Sequence, residues 1–225
     1  MREKILDKRL QAVVSFVEKG DRVADIGSDH GYIPLYLIQN NICENVLVTD
    51  INEGPLLSAR KNFERFGFGD FLNTMLYDGI DPEILKTYDK IIIAGMGGLT
   101  IAGILEKVES ELKEYKPRLI LQPMTEQDKL RKALFKLGYR IEREKCPEAS
   151  GKIYNVIYAR SGEVEDYKEL EYALGKYTLC DDDDKLNYIK KLDRVIKATQ
   201  SAVSSGAKNK DDLLSALKKY REEIA

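Results

Sequence analysis

The chain has 225 residues, a third of them charged and 43% apolar, with no tryptophan and a formal net charge of −2. That balance excludes a disordered chain, and the length suits one α/β domain plus a small extra module. It also excludes a uniformly basic nucleic-acid binder, although affinity for phosphate depends on where lysines sit rather than on their sum.

The first ten residues carry acids among their charges and no uninterrupted apolar core, unlike a secretory signal. Lys4–Lys19 is expected to be a helix, because Leu6, Leu10, Val13 and Val17 follow one another at helical spacing. Gly20-Asp21 stops it, and Arg22–Ile26 reads as a strand. A helix over Ile33–Asn40, a strand over Asn45–Asp50 and a helix over Leu56–Phe66 follow, the last stopped by Gly67. Asn73–Tyr77 is a weaker strand, Lys90–Ala94 a strongly apolar one, and Leu99–Glu109 is helical behind Gly97-Gly98. Arg118–Gln122 is the next strand. Thr125 with Asp128 predicts a capping-box-like start to a helix ending at Leu137-Gly138.

Repeated strand–helix units with short connections predict an α/β, Rossmann-like fold: a mostly parallel sheet covered by helices on both faces. The rhythm changes after Gly138. Tyr139–Lys145, the turn-rich Cys-Pro-Glu-Ala-Ser-Gly and Ile153–Ala159 predict two strands without a helix between them, an antiparallel hairpin at the sheet's edge. Residues 1–162 therefore form one expected domain, with 24 basic and 24 acidic side chains. Residues 163–225 form a second, helical one. There Leu186, Ile189, Leu192, Ile196, Thr199 and Val203, then after Ser204-Ser205-Gly206 Leu213, Leu217, Tyr220 and Ile224, suit an antiparallel helix pair of coiled-coil type. Asp181–Asp184 is read as the cap of the first helix, with a metal-binding cluster as the sharper alternative. Cys43, Cys146 and Cys180 are scattered and odd in number, which favours reduced thiols in a cytoplasm. No apolar run is long enough to span a bilayer.

The chemistry concentrates in Val23-Ala24-Asp25-Ile26-Gly27-Ser28-Asp29-His30-Gly31-Tyr32, a glycine-bearing turn between the first strand and a helix. Such a turn brings backbone amides close to a ligand and aims a helix dipole at it. Asp29 stands where a dinucleotide turn has its second glycine, and its charge would repel a pyrophosphate, so a cationic or zwitterionic ligand is preferred. Asp50 ends the second strand, about 20 residues on, where an acid can take both hydroxyls of a ribose. Asp78-Gly79 follows the third strand, where a carboxylate can accept from an adenine amino group. Ala94-Gly95-Met96-Gly97-Gly98 ends the fourth, opening backbone room beside the same cleft. Each acid alone reads as a cap or a turn residue; together, at the carboxyl ends of parallel strands, they read as one site.

This constellation, with its antiparallel last strand, resembles the class I S-adenosylmethionine-dependent methyltransferases. Lys8-Arg9-Leu10, the stretch from Asp25 to Pro34, Ala94-Gly95-Met96-Gly97-Gly98 and Gln122-Pro123-Met124 further resemble the bacterial tRNA adenine-N1 methyltransferase family called TrmK. The resemblance implies methyl transfer to N1 of adenine 22 in the D-loop region of tRNA. S-adenosyl-L-homocysteine is then the product; a monomer is expected, with no metal and no membrane, as the cysteines and apolar runs already indicate. It places the cofactor on Asp25, Gly27, Ser28, Gly31, Asp50, Ile51, Asp78, Gly79, Gly95 and Met96. Asp29 is the first candidate to stabilise the cationic product base or to accept from its exocyclic amine, and His30, the only histidine, is the second. Arg9, Tyr32, Gly97, Gln122 and Pro123 are the substrate candidates, with Tyr32 able to stack on an extruded base. Lys190, Lys191, Arg194 and Lys197 are expected on the outer helical face, where they would grip RNA.

Other classes fit less well. A nicotinamide oxidoreductase is disfavoured by Asp29 and by the hairpin ending. A methyltransferase acting on a protein or a small molecule is disfavoured by the helical tail and the Asp29-His30 turn, while one acting on another RNA stays the alternative. A non-catalytic RNA-binding module would not need acids and glycines converging on one cleft.

Overall fold

In the computed structural model, which describes residues 6–205, 207 and 210–224, helices and strands alternate through the first two thirds of the chain. The order is α1 (Lys8–Val14), β1 (Val23–Ile26), α2 (Tyr32–Gln39), β2 (Val46–Asp50), α3 (Glu53–Phe66), β3 (Leu72–Leu76), α4 (Pro82–Thr87) and β4 (Lys90–Met96). Then come α5 (Gly98–Glu106), α6 (Glu109–Tyr115), β5 (Arg118–Pro123), α7 (Gln127–Lys136) and β6 (Tyr139–Lys145). A small hairpin, β7 (Glu148–Ala149) and β8 (Lys152–Ile153), precedes β9 (Val156–Ser161).

The seven-stranded sheet has the order β3-β2-β1-β4-β5-β9-β6. Its first five strands are parallel, and β9 is antiparallel to both β5 and β6, which gives the expected ending. Side chains alternate between two cores because successive strand residues face opposite ways. Ala24, Ile91, Ile93, Leu119 and Leu121 pack with Ile101, Leu105, Leu130 and Leu134. Val23, Ile92 and Ile120 pack on the other face with Val13, Ile33, Leu35 and Phe63. Burial on both faces explains why these strands read as continuous apolar runs.

Three local expectations change. The first helix begins only after Asp7, whose carboxylate accepts from the Leu10 amide at 2.8 Å, and ends at Val14. Phe16 and Val17 remain buried in the following turn, so their spacing reported burial rather than helix; Lys4 lies outside the described residues. The helices α4 and α6 were not anticipated, the first capped by Asp81 with Pro82 at its start. Thr125 does not cap α7. The N-cap is Glu126 at φ 53°, without a side-chain cap hydrogen bond, and the Thr125 carbonyl instead accepts from the Gly98 amide at 2.8 Å.

The C-terminal segment carries α8 (Glu169–Leu174), α9 (Asp182–Ser204) and α10 (Asp211–Glu223). The last folds back on α9, where the Tyr188 and Tyr220 hydroxyls meet at 3.2 Å. Their core of Leu174, Tyr188, Leu192, Leu217 and Tyr220 also takes in Cys146 and Ile153 from the preceding segment. The expected stripe holds from Leu192 through Ile196 and Thr199 and along α10, but its first turns are rotated: Asp184 and Tyr188 are buried, while Leu186 is 61% exposed. Contact with the sheet's edge, not pairing with α10 alone, sets the inward face. Gly206 of the expected break lies outside the described residues.

The aspartate run anchors this arm. Asp181 occupies the N-cap position but makes no cap hydrogen bond; it pairs with Arg143 at 2.8 Å and Lys145 at 3.2 Å. Asp184 accepts from the Cys146 amide at 2.7 Å. Among the described residues no cluster of His, Cys, Asp or Glu is arranged to hold a metal ion, and no helix is long and apolar enough to cross a membrane. The three cysteines are free and buried.

Candidate active site

In a parallel sheet the strands' carboxyl ends share one edge, and ligands bind in the crevice outside it. Here a cleft of about 380 Å³ lies at that edge. Arg9, Asp25, Gly27, Ser28, Asp29, His30, Tyr32, Gly95 and Met96 line it, together with Leu10, Ile33, Ala94 and Met124. A larger space of about 480 Å³ lies where β6 and α7 meet residues 163–179. Arg140 there pairs with Glu142 and Lys176 with Glu165, and no residue of the glycine turn lines it.

The turn is held by specific contacts. The Gly27 and Ser28 amides both donate to the Thr49 carbonyl, at 2.7 and 3.2 Å. These two amides thus dock the turn on β2 rather than point at a ligand, which corrects the simplest reading of the motif. Gly27 sits at φ 71°, and a Cβ there would lie 1.9 Å from the Met96 methyl. Gly31, at φ 65°, is the N-cap of α2, and a Cβ would approach that of Ala59 to 2.9 Å. Beneath the turn, burial pushes the Asp25 carboxyl up to about 6, with hydrogen bonding to Ser28 opposing the shift.

At the mouth, Asp29 is 81% exposed, and His30 Nε2 lies 3.1 Å from its Oδ2. The His30 and Tyr32 rings are 5.2 Å apart, and Asn62 Nδ2 donates to the His30 carbonyl at 2.9 Å. One Asp29 oxygen therefore orients the imidazole while the carboxylate still faces the cleft. Opposite in charge, Arg9 donates from Nη1 to Gln122 Oε1 at 2.5 Å.

Not every predicted residue reaches the cleft. Gln122 is fully buried, its amide engaged by Arg9 and by the Pro123 carbonyl at 3.0 Å, so it orients Arg9 and is shielded from a substrate. Pro123 is buried in register with Met96. Gly97 precedes α5 against Thr125 and Glu126. A Cβ on Gly98 would fall 2.2 Å from the Glu126 carbonyl oxygen, so this glycine permits the close approach of two loops. Asp50, Ile51, Asp78 and Gly79 stand further along the same edge, at the ends of β2 and β3 and outside the cleft lining. Asp50 accepts from the Asn52 amide at 2.8 Å, Asp78 pairs with Lys107 at 3.3 Å, and Ile51 is 60% exposed.

The cleft-lining Leu10, Ile33, Ala94 and Met124 were not among the predicted site residues, nor was Tyr154 behind Arg9. Met124 lines the cleft and is 42% exposed; an apolar residue directly after the Pro that ends a strand was the available signal. Tyr154 carries no local signal, yet the Arg9 guanidinium lies 5.7 Å from its ring centroid. The predicted basic face also changes. Lys191 points inward to Asn155 Oδ1 at 2.7 Å and the Leu174 carbonyl at 3.0 Å, and burial lowers its ammonium to about 8. Lys190 and Arg194 reach Glu148 at 3.5 and 2.9 Å, while Lys197 is exposed.

A methyltransferase-domain family model matches residues 6–157. Over 163 residues the chain is 39% identical to the tRNA (adenine(22)-N(1))-methyltransferase of Bacillus subtilis strain 168, covering 72% of this chain and 68% of that protein. Streptococcus pneumoniae Sp1610 in complex with S-adenosyl-L-methionine superposes with a TM-score of 0.83 at 29% identity, over 96% of this chain and 99% of that one. M. capricolum TrmK in complex with S-adenosyl-homocysteine gives 0.82 at 26% identity, over 98% and 99%.

Proposed function

The chain belongs to the tRNA (adenine(22)-N1)-methyltransferase family, and from that premise we infer that the cleft below Asp29 and His30 is where the methyl group passes to adenine N1. It is an S-adenosyl-L-methionine-dependent enzyme acting on tRNA. The observation that carries the assignment of the cleft is the meeting of the Asp29-His30 turn with Gly95-Met96 at the sheet's carboxyl edge.

The residues fit such a donor. Asp25 lies at the cleft, Asp50 and Asp78 follow β2 and β3 along the same edge where an adenosine-bearing cation would extend, and Gly95, with only the Arg9 guanidinium within 4 Å of a would-be Cβ, keeps the cleft open. The chemistry supplied on binding is an electrophilic sulfonium methyl, with S-adenosyl-L-homocysteine as co-product. Adenine N1 carries a free lone pair at neutral pH, so the chain's task is alignment and electrostatics. Asp50 would take the ribose hydroxyls and Asp78 the adenine amine. Tyr32 and Met124 flank the extruded target base. Asp29 accepts from its exocyclic amine and stabilises the positive charge that develops on the ring, and His30 holds Asp29 in place. Arg9, fixed by Gln122, faces the phosphates of the extruded nucleotide. Residues 163–225 form the tRNA-positioning domain, with Lys197 more available than Lys191.

Incorporation of tritiated methyl into bacterial tRNA, mapped to the modified nucleotide, tests this reading; donor binding without incorporation at adenine 22 would overturn it. Asp50→Ala is expected to weaken donor binding by about 1.5–3 kcal/mol, the scale of hydrogen bonds to a charged acceptor. Unchanged affinity by calorimetry would reduce Asp50 to the turn it makes with Asn52.

Asp25 predicts a pH dependence. Its folded-state carboxyl, near 6 against an ordinary 3.8, contributes stability to the free enzyme below 3.8, and this is lost as pH rises through about 6. Donor affinity has the opposite sign, because a cation favours the ionised form. Calorimetry across pH 5–8 is expected to show affinity falling below about pH 6, by up to about tenfold per unit. In Asp25→Asn that slope should vanish.

A further inference from the structure

We propose that Tyr154 is a positioning residue for methyl transfer: its ring holds the Arg9 guanidinium against the cleft wall, and the β7–β8 hairpin joins that arrangement to the helical arm. The proposal rests on the reading of the cleft given above and adds to it a residue outside the cleft lining.

Arg9 and Asp29 carry opposite charges in one cleft. A guanidinium free to swing would pair with that carboxylate and cancel the negative charge on which a cationic product base depends. Two contacts prevent this. The buried Gln122 amide takes Arg9 Nη1 at 2.5 Å, and the Tyr154 ring lies 5.7 Å from Arg9 Cζ, within cation–π range. The carboxylate of Asp7 is 3.9 Å from Arg9 Nε and more exposed, a weaker tether.

Tyr154 is itself held by the hairpin and its neighbours. Its amide donates to the Pro147 carbonyl at 3.0 Å, closing the hairpin. Arg194 of α9 donates to the Gly151 carbonyl at 3.2 Å and to Glu148 at 2.9 Å, and Lys190 adds its charge to the same carboxylate. The next residue, Asn155, accepts from Lys191 at 2.7 Å. Contacts to α9 thus flank Tyr154 on both sides along the chain, and the ring between them faces Arg9. A shift of the arm moves Tyr154, and with it the guanidinium, through a continuous set of short contacts.

The test uses the full chain, with donor affinity by calorimetry, thermal unfolding and steady-state methylation of bulk bacterial tRNA. In Tyr154→Leu, kcat/KM for tRNA is expected to fall about tenfold with donor affinity unchanged, while Tyr154→Phe, which keeps the ring, stays within about twofold of the parent. In an Arg9→Met background Tyr154→Leu should cost nothing further, because the two residues act as one unit. Equal losses in Tyr154→Phe and Tyr154→Leu, full additivity with Arg9→Met, or a parallel loss of donor affinity would each overturn the proposal. A parent enzyme that binds donor but does not methylate tRNA overturns the reading of the function and this proposal with it. A fully active parent with a flat Tyr154 series overturns the proposal alone.

Discussion

Replacing Asp29 with alanine is expected to lower kcat for tRNA methylation about a hundredfold or more, while donor affinity stays within about threefold. The asymmetry follows from where charge changes. The donor loses its positive charge as the methyl leaves, and the adenine ring gains one. A carboxylate beside the ring therefore acts on the transition state more than on the bound ground state. Asp29 is solvated in the open cleft, and seating a base against it would remove much of that water and strengthen the interaction. Asp29→Asn keeps an acceptor for the exocyclic amine without the charge, so its activity should fall between those of the parent and the alanine variant. Steady-state kinetics beside calorimetry separate the alternatives: parallel losses of kcat and donor affinity would assign Asp29 to the shape of the glycine turn. His30→Ala should cost less, since the imidazole acts on the carboxylate rather than on the base.

Arg131→Met is expected to destabilise the protein by about 3–5 kcal/mol, the range for removing one partner of a buried ion pair. Arg131 and Glu144 are both buried. The guanidinium donates to both carboxylate oxygens, at 3.1 and 2.7 Å, and to the Tyr172 carbonyl of α8 at 2.9 Å. Removing it leaves the Glu144 charge without its strongest partner, with Asn155 Nδ2 at 3.4 Å a poor substitute. The double variant Arg131→Met, Glu144→Met should recover much of the loss, because two apolar side chains of similar volume carry no stranded charge. Urea unfolding of the three proteins measures both effects; a loss below about 1 kcal/mol in the single variant would mean that water reaches the pair. The bond to Tyr172 also makes Arg131 one of the ties between the sheet and the arm.

The central strands β1, β2, β4 and β5 were legible because both faces are buried and each is an apolar run between turn residues, while the edge strand β6 was legible from its alternation. Tyr139–Lys145 was located to the residue. The glycine turn was equally legible, since Gly27 and Gly31 both adopt positive φ where side chains are strained. Helix ends were less so. Phe16 and Val17 continue an apolar period past the end of α1, and Thr125-x-x-Asp128 mimics a cap that a contact with Gly98 displaces. Short helices such as α4 and α6 have too few turns to display a period.

Local order along the chain determined the alternation of strands and helices, the reversal after Gly138 and the row of acids and glycines at the sheet's edge, because each depends on neighbours within a few residues. Only the tertiary structure decided which charges are spoken for. Lys191 turns inward, Gln122 serves Arg9 rather than a substrate, Asp181 binds Arg143 instead of capping, and Arg9 finds Tyr154 across the hairpin. The reason is physical. Periodicity reports how often a side chain must leave water, whereas the partner of a buried polar group is whichever complementary atom the fold brings within about 3 Å, at any distance along the chain.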